Sequence, residues 1–294
     1  MVAAVPSSTH APQPPPLKAR IAKQVLPRPI LRRYQIRKAE RNVAAFPSRI
    51  VHHSYHGIPL SVWIGDRTGE NWYDMDWPDT VLPEFEYLRG TDVLTTGATV
   101  FEVGAHHGVI AMMMASLIGE TGTVVAVEPA QLSLAALAHN LVLNHLPQIV
   151  IVPAAASATD TDLFFDKYGA AVSPDRVGAE RVPAVTVDQL SDTYGVPDLL
   201  WIDVEGHEEH VLAGAVETLA ARPFCCVEVH VGSLLERQKG TIQGVLDRLG
   251  DGYDFFVNES PNSREHELVP LGELPDERFS LVAVPIGTRP ATPG

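Results

Sequence analysis

The stretch Val100 to Gly108, VFEVGAHHG, constrains the fold more than any other part of the sequence. The apolar run Thr99 to Val103 predicts a buried strand. A loop with glycines at 104 and 108 separates it from Val109 to Ile118, an apolar segment of helix formers. Glycine suits such a loop because it accepts backbone angles closed to other residues and lets a ligand lie against the main chain. A second apolar strand, Thr123 to Val127, ends in Glu128, placed to accept hydrogen bonds from the two hydroxyls of a ribose. The unit reads as a nucleoside pocket, although the same pattern also serves a strand-to-helix turn that holds no ligand.

Glycine spacing separates the nucleosides. Dinucleotide folds use GxGxxG so that a pyrophosphate can sit on the helix N-terminus, whereas here Glu102, Gly104 and Gly108 set the frame and His107 stands where the middle contact needs bare backbone. An acid at 102 facing the loop suits a cationic amino group better than a phosphate. Both points favour S-adenosylmethionine over NAD.

Downstream, a helical pattern from Leu132 to Leu143, with Asn140 and Asn144 near its end, precedes a strand Ile149 to Val152. Strands alternating with helices signal an open, mostly parallel sheet. Residues Pro153 to Ala156, Ala155 among them, have small side chains that suit either a flat adenine or close backbone packing. Leu163 to Phe165 reads as a further strand, and Lys167 to Val182, rich in glycine, alanine and charge, as a lid.

A second chemical centre is DLLWIDVEGHEEH, Asp198 to His210. Its apolar strand, Leu199 to Val204, leads into a helix expected over Glu208 to Ala221, and the strand Phe224 to Val229 follows. Together they deliver Asp203, Glu205, His207, Glu228 and His230 to one edge, the carboxyl end where open sheets bind ligands. Such a group can bind a divalent metal, act as a general base, or pair internally. Glu208 and Glu209, in a first helical turn, read as capping acids. A helix Thr241 to Leu249, a strand Tyr253 to Val257 and a last strand Ser280 to Val284 complete the pattern, the two strands as an antiparallel pair.

Upstream, Ile50 to His53 and Leu60 to Ile64 read as strands, and Pro83 to Arg89 as a short helix. Trp63, Trp72, Tyr73 and Trp77 cluster between them, as the floor of a cleft or as a small core beneath a loop. The first 50 residues carry ten Lys or Arg against Glu40 alone, a charge of +9 that leaves -23 for the rest. So acidic a body repels nucleic acid and argues against such a substrate unless the basic arm does all the binding. Residues 1–16 are too proline-rich for a helix. From Leu17 two basic amphipathic helices are expected, packed on the body or on a sister subunit in a homo-oligomer. The organisation expected is therefore a tail over 1–16, a basic extension with a small strand region over 17–80, and the main domain over 81–294. No apolar run reaches the roughly 18 residues of a membrane span. The opening does not read as a signal peptide, and the adjacent Cys225 and Cys226 cannot pair well, which together predict cytoplasmic residence.

From roughly Leu82 to Val284 the chain resembles the FkbM family of S-adenosylmethionine-dependent methyltransferases. The resemblance rests on VFEVGAHHG, VVAVEP, HNLVLNHL, VPAVTVDQL, LLWIDVEGHE and CCVEVH, in that order. It implies an α/β, Rossmann-like fold with a seven-stranded mostly parallel sheet, helices on both faces and an antiparallel last strand. It also implies that Glu102, Gly104 and Gly108 hold the methionine part of the cofactor, with His106 where the family usually has asparagine. Glu128 would hold the ribose and Asp203 would stand near the sulfonium. The reaction expected is O-methylation of a small molecule such as a sugar or a secondary metabolite, with Asp203 or His230 as base and Glu205 beside them. A variant places Mg2+ on Asp203, Glu205 and Glu228. Two rivals are a methyltransferase fold without catalysis, serving as a binding subunit, and an NAD-dependent oxidoreductase.

Overall fold

A computed structural model describes residues 45–166, 172, 179–258 and 268–288. The proline-rich start, the basic helices from Leu17 and most of the lid over Lys167 to Val182 fall outside the described residues. In chain order the strands are β1 (Arg49–Tyr55), β2 (Ile58–Ile64), β3 (Thr99–Val103), β4 (Thr123–Val127), β5 (Ile149–Val152), β6 (Ala155–Ala156) and β7 (Leu163–Asp166). Then come β8 (Ala179–Val182), β9 (Ala184–Val185), β10 (Leu199–Ile202), β11 (Phe224–Val229), β12 (Tyr253–Asn258), β13 (Val269–Pro270) and β14 (Phe279–Pro285).

The main sheet runs β13-β12-β14-β11-β10-β3-β4-β5. Strands β11, β10, β3, β4 and β5 pair in parallel, and β14 inserts antiparallel between β11 and β12. Central strands covered on both faces must be apolar throughout, and every residue of β10 and β14 is buried. The eighth strand, β13, is a two-residue addition to the seven expected; Pro270 is tolerated there because an edge strand need not donate on both sides.

Helices cover both faces. On one, Pro83–Arg89, Val109–Ile118 and Gln131–Asn144 share a core with the β1–β2 hairpin, centred on Met112, Met113, Met114 and Leu137. On the other, Val187–Tyr194, Glu208–Ala213 and Ile242–Leu249 pack through Leu190, Val211 and Val245. The hairpin is tied to the third helix by side chains as well: Asn144 Oδ1 accepts from Ser61 N (2.9 Å) and Asn140 Oδ1 from Trp63 N (2.6 Å). Cys225 and Cys226 are free and buried, as packing residues. No helix among the described residues is long and apolar enough to cross a membrane.

The single helix expected over Glu208 to Ala221 is two, Glu208–Ala213 and Val216–Ala220. The cause is Gly214, where a Cβ would lie 2.1 Å from the Ser157 carbonyl oxygen, and Asp188, whose carboxylate accepts from Thr218 N (2.8 Å) and so caps the second piece. The aromatic stretch, for which no helix is expected from the sequence, contains one, Arg67–Tyr73, started by Asp66 accepting from Gly69 N at 2.7 Å. Val187–Tyr194 begins with a capping box of Thr186 and Gln189.

Candidate functional site

A cavity of about 680 Å³ opens at the carboxyl ends of β3, β4, β10 and β11, the position where open α/β sheets take ligands. Glu102, near the end of β3, is 2% exposed and lines it; its Oε2 is buried with no hydrogen-bond partner among the described residues. Burial, and then the neighbouring Glu128, hold the Glu102 carboxyl well above the usual range. A buried acid left half-satisfied in this way suits a cationic partner.

The chain turns sharply after β3. Gly104 has φ +95°, and a Cβ there would lie 1.8 Å from the Asp203 carbonyl oxygen, so only glycine lets the loop pass beneath the second chemical centre. Gly108 sits at the start of the next helix. It is not among the cavity-lining residues; at φ +77° it is the N-cap of Val109–Ile118, and a Cβ would meet Leu137 Cδ1 at 2.1 Å. His106 lines the cavity, with Nδ1 at 3.0 Å from the Tyr73 hydroxyl. His107 is fully buried behind it, against Gly69. The turn thus presents one imidazole to the cavity and keeps the other behind it.

Glu128 also faces the cavity. Its two oxygens accept from the backbone N–H groups of His106 (2.8 Å) and Ala130 (2.7 Å), while burial raises its pKa to about 7. These bonds fix the carboxylate and leave further lone pairs free for a diol. Ala154, Ala155 and Ala156 line the cavity as well. Of the clustered aromatics, Tyr73 and Trp77 serve both readings, being buried in the core yet lining the cavity, while Trp72 lines the cavity with 45% exposure.

Opposite lie the acids of β10 and β11. Asp203, Glu205 and Glu228 line the cavity; His230 does not. His230 is 3% exposed, with Nε2 at 3.6 Å from Asp203 Oδ1 and from Glu205 Oε2. Its Nδ1 meets Glu208 Oε1 at 2.6 Å. Burial alone would lower the His230 pKa, but the bond to Glu208 and the charges of Asp203, Glu208 and Glu228 raise it to about 9. Burial, and then Glu228, push Asp203 well above the ordinary aspartate value. Glu228 is itself engaged by Arg278 Nε at 3.1 Å.

Metal-ligand spacing here selects Asp203, Glu228 and His230, all within 4.8 Å of one another, with an imidazole in place of the Glu205 expected. That donor set is less suited to Mg2+ than three carboxylates. His207 lines the cavity too, but Ser157 occupies its Nε2 (3.0 Å) and it stacks on His210; burial and then His210 lower its pKa to about 3.

Three residues have roles that the sequence does not announce. Glu208 lies in the first turn of its helix, but its Oε1 accepts from Gly206 N at 2.9 Å, ahead of the helix, and the same oxygen holds His230, 22 positions away on another element. Asn140 joins the hairpin to the loop by donating to the His107 carbonyl (2.9 Å). Glu84, 1% exposed, lines the cavity and accepts from Ser280 Oγ (2.9 Å) on β14. Only the T-x-x-Q box and the Asp66 cap have a local signal; Glu208, Asn140 and Glu84 find their partners through the tertiary fold.

A family model described as "Methyltransferase FkbM domain" matches residues 102–255, just over half of the chain. No curated protein matches the sequence. Among solved structures, the chain is similar to methyltransferase FkbM from Methylobacillus flagellatus KT (15% identity, TM-score 0.43), the match covering 64% of this chain and 43% of that one. It is similar to an S-adenosylmethionine-dependent O-methyltransferase from Thermotoga maritima (15%, TM-score 0.44), covering 83% of this chain and 79% of that one. A third is Aeropyrum pernix fibrillarin with natively bound S-adenosyl-L-methionine (14%, TM-score 0.41), covering 83% of this chain and 86% of that one.

Proposed function

The chain belongs to the methyltransferase FkbM family, and on that premise we propose that it methylates a hydroxyl oxygen of a small molecule, such as a sugar or a secondary metabolite, using S-adenosylmethionine. The observation that carries this reading is the buried, unpartnered Glu102 oxygen facing a cavity whose wall also presents Glu128 and three alanines. On this reading Glu102 and the backbone at Gly104 and His106 take the amino acid end of the cofactor, Glu128 the ribose and Ala154 to Ala156 the base, all of them lining the one cavity.

When bound, the cofactor supplies an electrophilic methyl group and a positive charge that favours the ionised form of the acids around it. The protein's task is to align the acceptor oxygen and take its proton. Alignment alone is worth on the order of 7 to 11 kcal/mol in ideal cases. Of the two candidate bases, Asp203 fits: it lines the cavity, and its raised proton affinity brings it closer to that of the group it must deprotonate. His230 lies behind it and, with a pKa of about 9, carries a proton at neutral pH, so it is a positioning residue that orients Asp203 and Glu205.

The test uses isotopically methyl-labelled cofactor and a panel of hydroxylated small molecules. Label transfer by the native chain and none by a normally folded D203A is expected; near-normal turnover of D203A would remove Asp203 from the mechanism. Calorimetry with S-adenosylhomocysteine separates this reading from an inactive binding module with a filled pocket, which would give no heat.

A further inference from the structure

Between the start of the Arg67–Tyr73 helix and the loop after β3 stands a second group of ligating side chains, which the methyl-transfer reading does not use: Asp66, His106 and His107 each place one donor atom within 4.8 Å of the others. We propose that these three residues bind a divalent first-row transition ion of the Zn2+ class, which pins the Arg67–Tyr73 helix to the loop after β3.

His107 is the strongest indication. It is 0% exposed, and neither ring nitrogen has a hydrogen-bond partner among the described residues, a state in which buried polar atoms are rarely left. A bound cation gives one of those nitrogens its missing partner. The Tyr73 hydroxyl engages Nδ1 of His106 at 3.0 Å, leaving Nε2 as the ring atom open to a further bond, in the manner of an outer partner that orients a ligating imidazole. Asp66 spends Oδ1 on capping the helix through Gly69 N (2.7 Å) and has its second oxygen for a metal.

Two imidazoles and one carboxylate suit Zn2+, Co2+ or Ni2+ better than Mg2+ or Ca2+. Tetrahedral bonds of 2.0 to 2.1 Å put donor atoms roughly 3.3 Å apart, so donors that lie within 4.8 Å of one another need to close by at most about 1.5 Å. Three protein ligands leave a fourth position. Asp66 and His106 both line the cavity, so that position faces it. The consequence is local order: the helix so pinned carries Trp72 and Tyr73, which form part of the cavity wall. The donor at position 106 is the His106 side chain, whereas the methyl-transfer reading uses only the backbone there.

The experiment takes the full chain, stripped with a chelator, and titrates it with ZnCl2 by calorimetry, with Co2+ absorption as a second readout. One equivalent of Zn2+ should bind, with a tetrahedral Co2+ spectrum. D66N, which keeps the helix cap, and H106N should each weaken binding at least tenfold. Should H106N fail to fold, D66N alone decides the matter. Binding unchanged in D66N, or lost in D203N and retained in D66N, would overturn the proposal, as would a native chain that takes up no Zn2+.

Discussion

Replacing Glu208 by glutamine removes the charge that holds His230 protonated. The folded pKa of His230, about 9, lies above the ordinary histidine value of 6.5. The folded state therefore binds this proton more tightly than the unfolded chain. The resulting stabilisation is fully present below about pH 6.5 and is lost as pH rises through 9. The gap between those two values corresponds to roughly 3 kcal/mol, and because His230 is 3% exposed, solvent screening takes little of it away. Since Glu208 bonds the ring directly at 2.6 Å, E208Q should lose about 2 kcal/mol at pH 6 and, by pH 9.5, differ from the native chain by less than about 0.5 kcal/mol. Urea unfolding followed by tryptophan fluorescence, repeated at half-unit intervals from pH 6 to 9.5, gives both curves. Parallel curves, with E208Q displaced by the same amount at every pH, would show that the imidazole is not held by that carboxylate.

Other substitutions probe the loop and the cavity. G104A forces a Cβ to 1.8 Å from the Asp203 carbonyl at φ +95° and should cost about 3 kcal/mol or more, read as a melting temperature lower by some 6 to 12 °C; an unshifted melt would refute the close approach. N140A strands the Trp63 N–H and the His107 carbonyl and should cost about 2 to 3 kcal/mol by denaturant titration, against near-zero for N140A if the hairpin docks without it. E128A should weaken S-adenosylhomocysteine binding at least tenfold by calorimetry, whereas E205A should leave that affinity within about twofold; equal losses in both would contradict the division of the cavity. With the Glu128 pKa at about 7, above the ordinary glutamate range, that carboxyl's share of stability is present below about pH 4.5 and is lost as pH rises through 7, so E128Q should flatten the fall in stability across that window.

Much of this site is legible in the sequence because its physics is local. An apolar run ending in an acid, followed by glycines and a helix-forming segment, fixes β3, its turn and the helix at residue 109, and the same logic places Glu128 and Asp203 at strand ends on one edge of the sheet. What stays hidden depends on partners far apart in sequence. Glu208 has the local signature of a helix-capping acid, and nothing near it announces His230. Gly108 matches the spacing of a ligand contact, yet its conformation answers to Leu137, 29 positions on. The helix break at Gly214 is set by the Ser157 backbone, and the Arg67–Tyr73 helix is short enough that its aromatic residues mask the Asp66 cap.

The insertion of β14 between β11 and β12 orders events during folding. Until residues 279–285 arrive, those two neighbours are separated by a gap one strand wide, with unpaired edges on either side. The same late segment brings Ser280 to Glu84, almost two hundred positions earlier, and Arg278 to Glu228. A nascent chain halted before this point would hold the nucleoside half of the cleft but an unfinished opposite wall, so ligand binding and full closure should appear as separate kinetic steps, the second limited by this long-range docking.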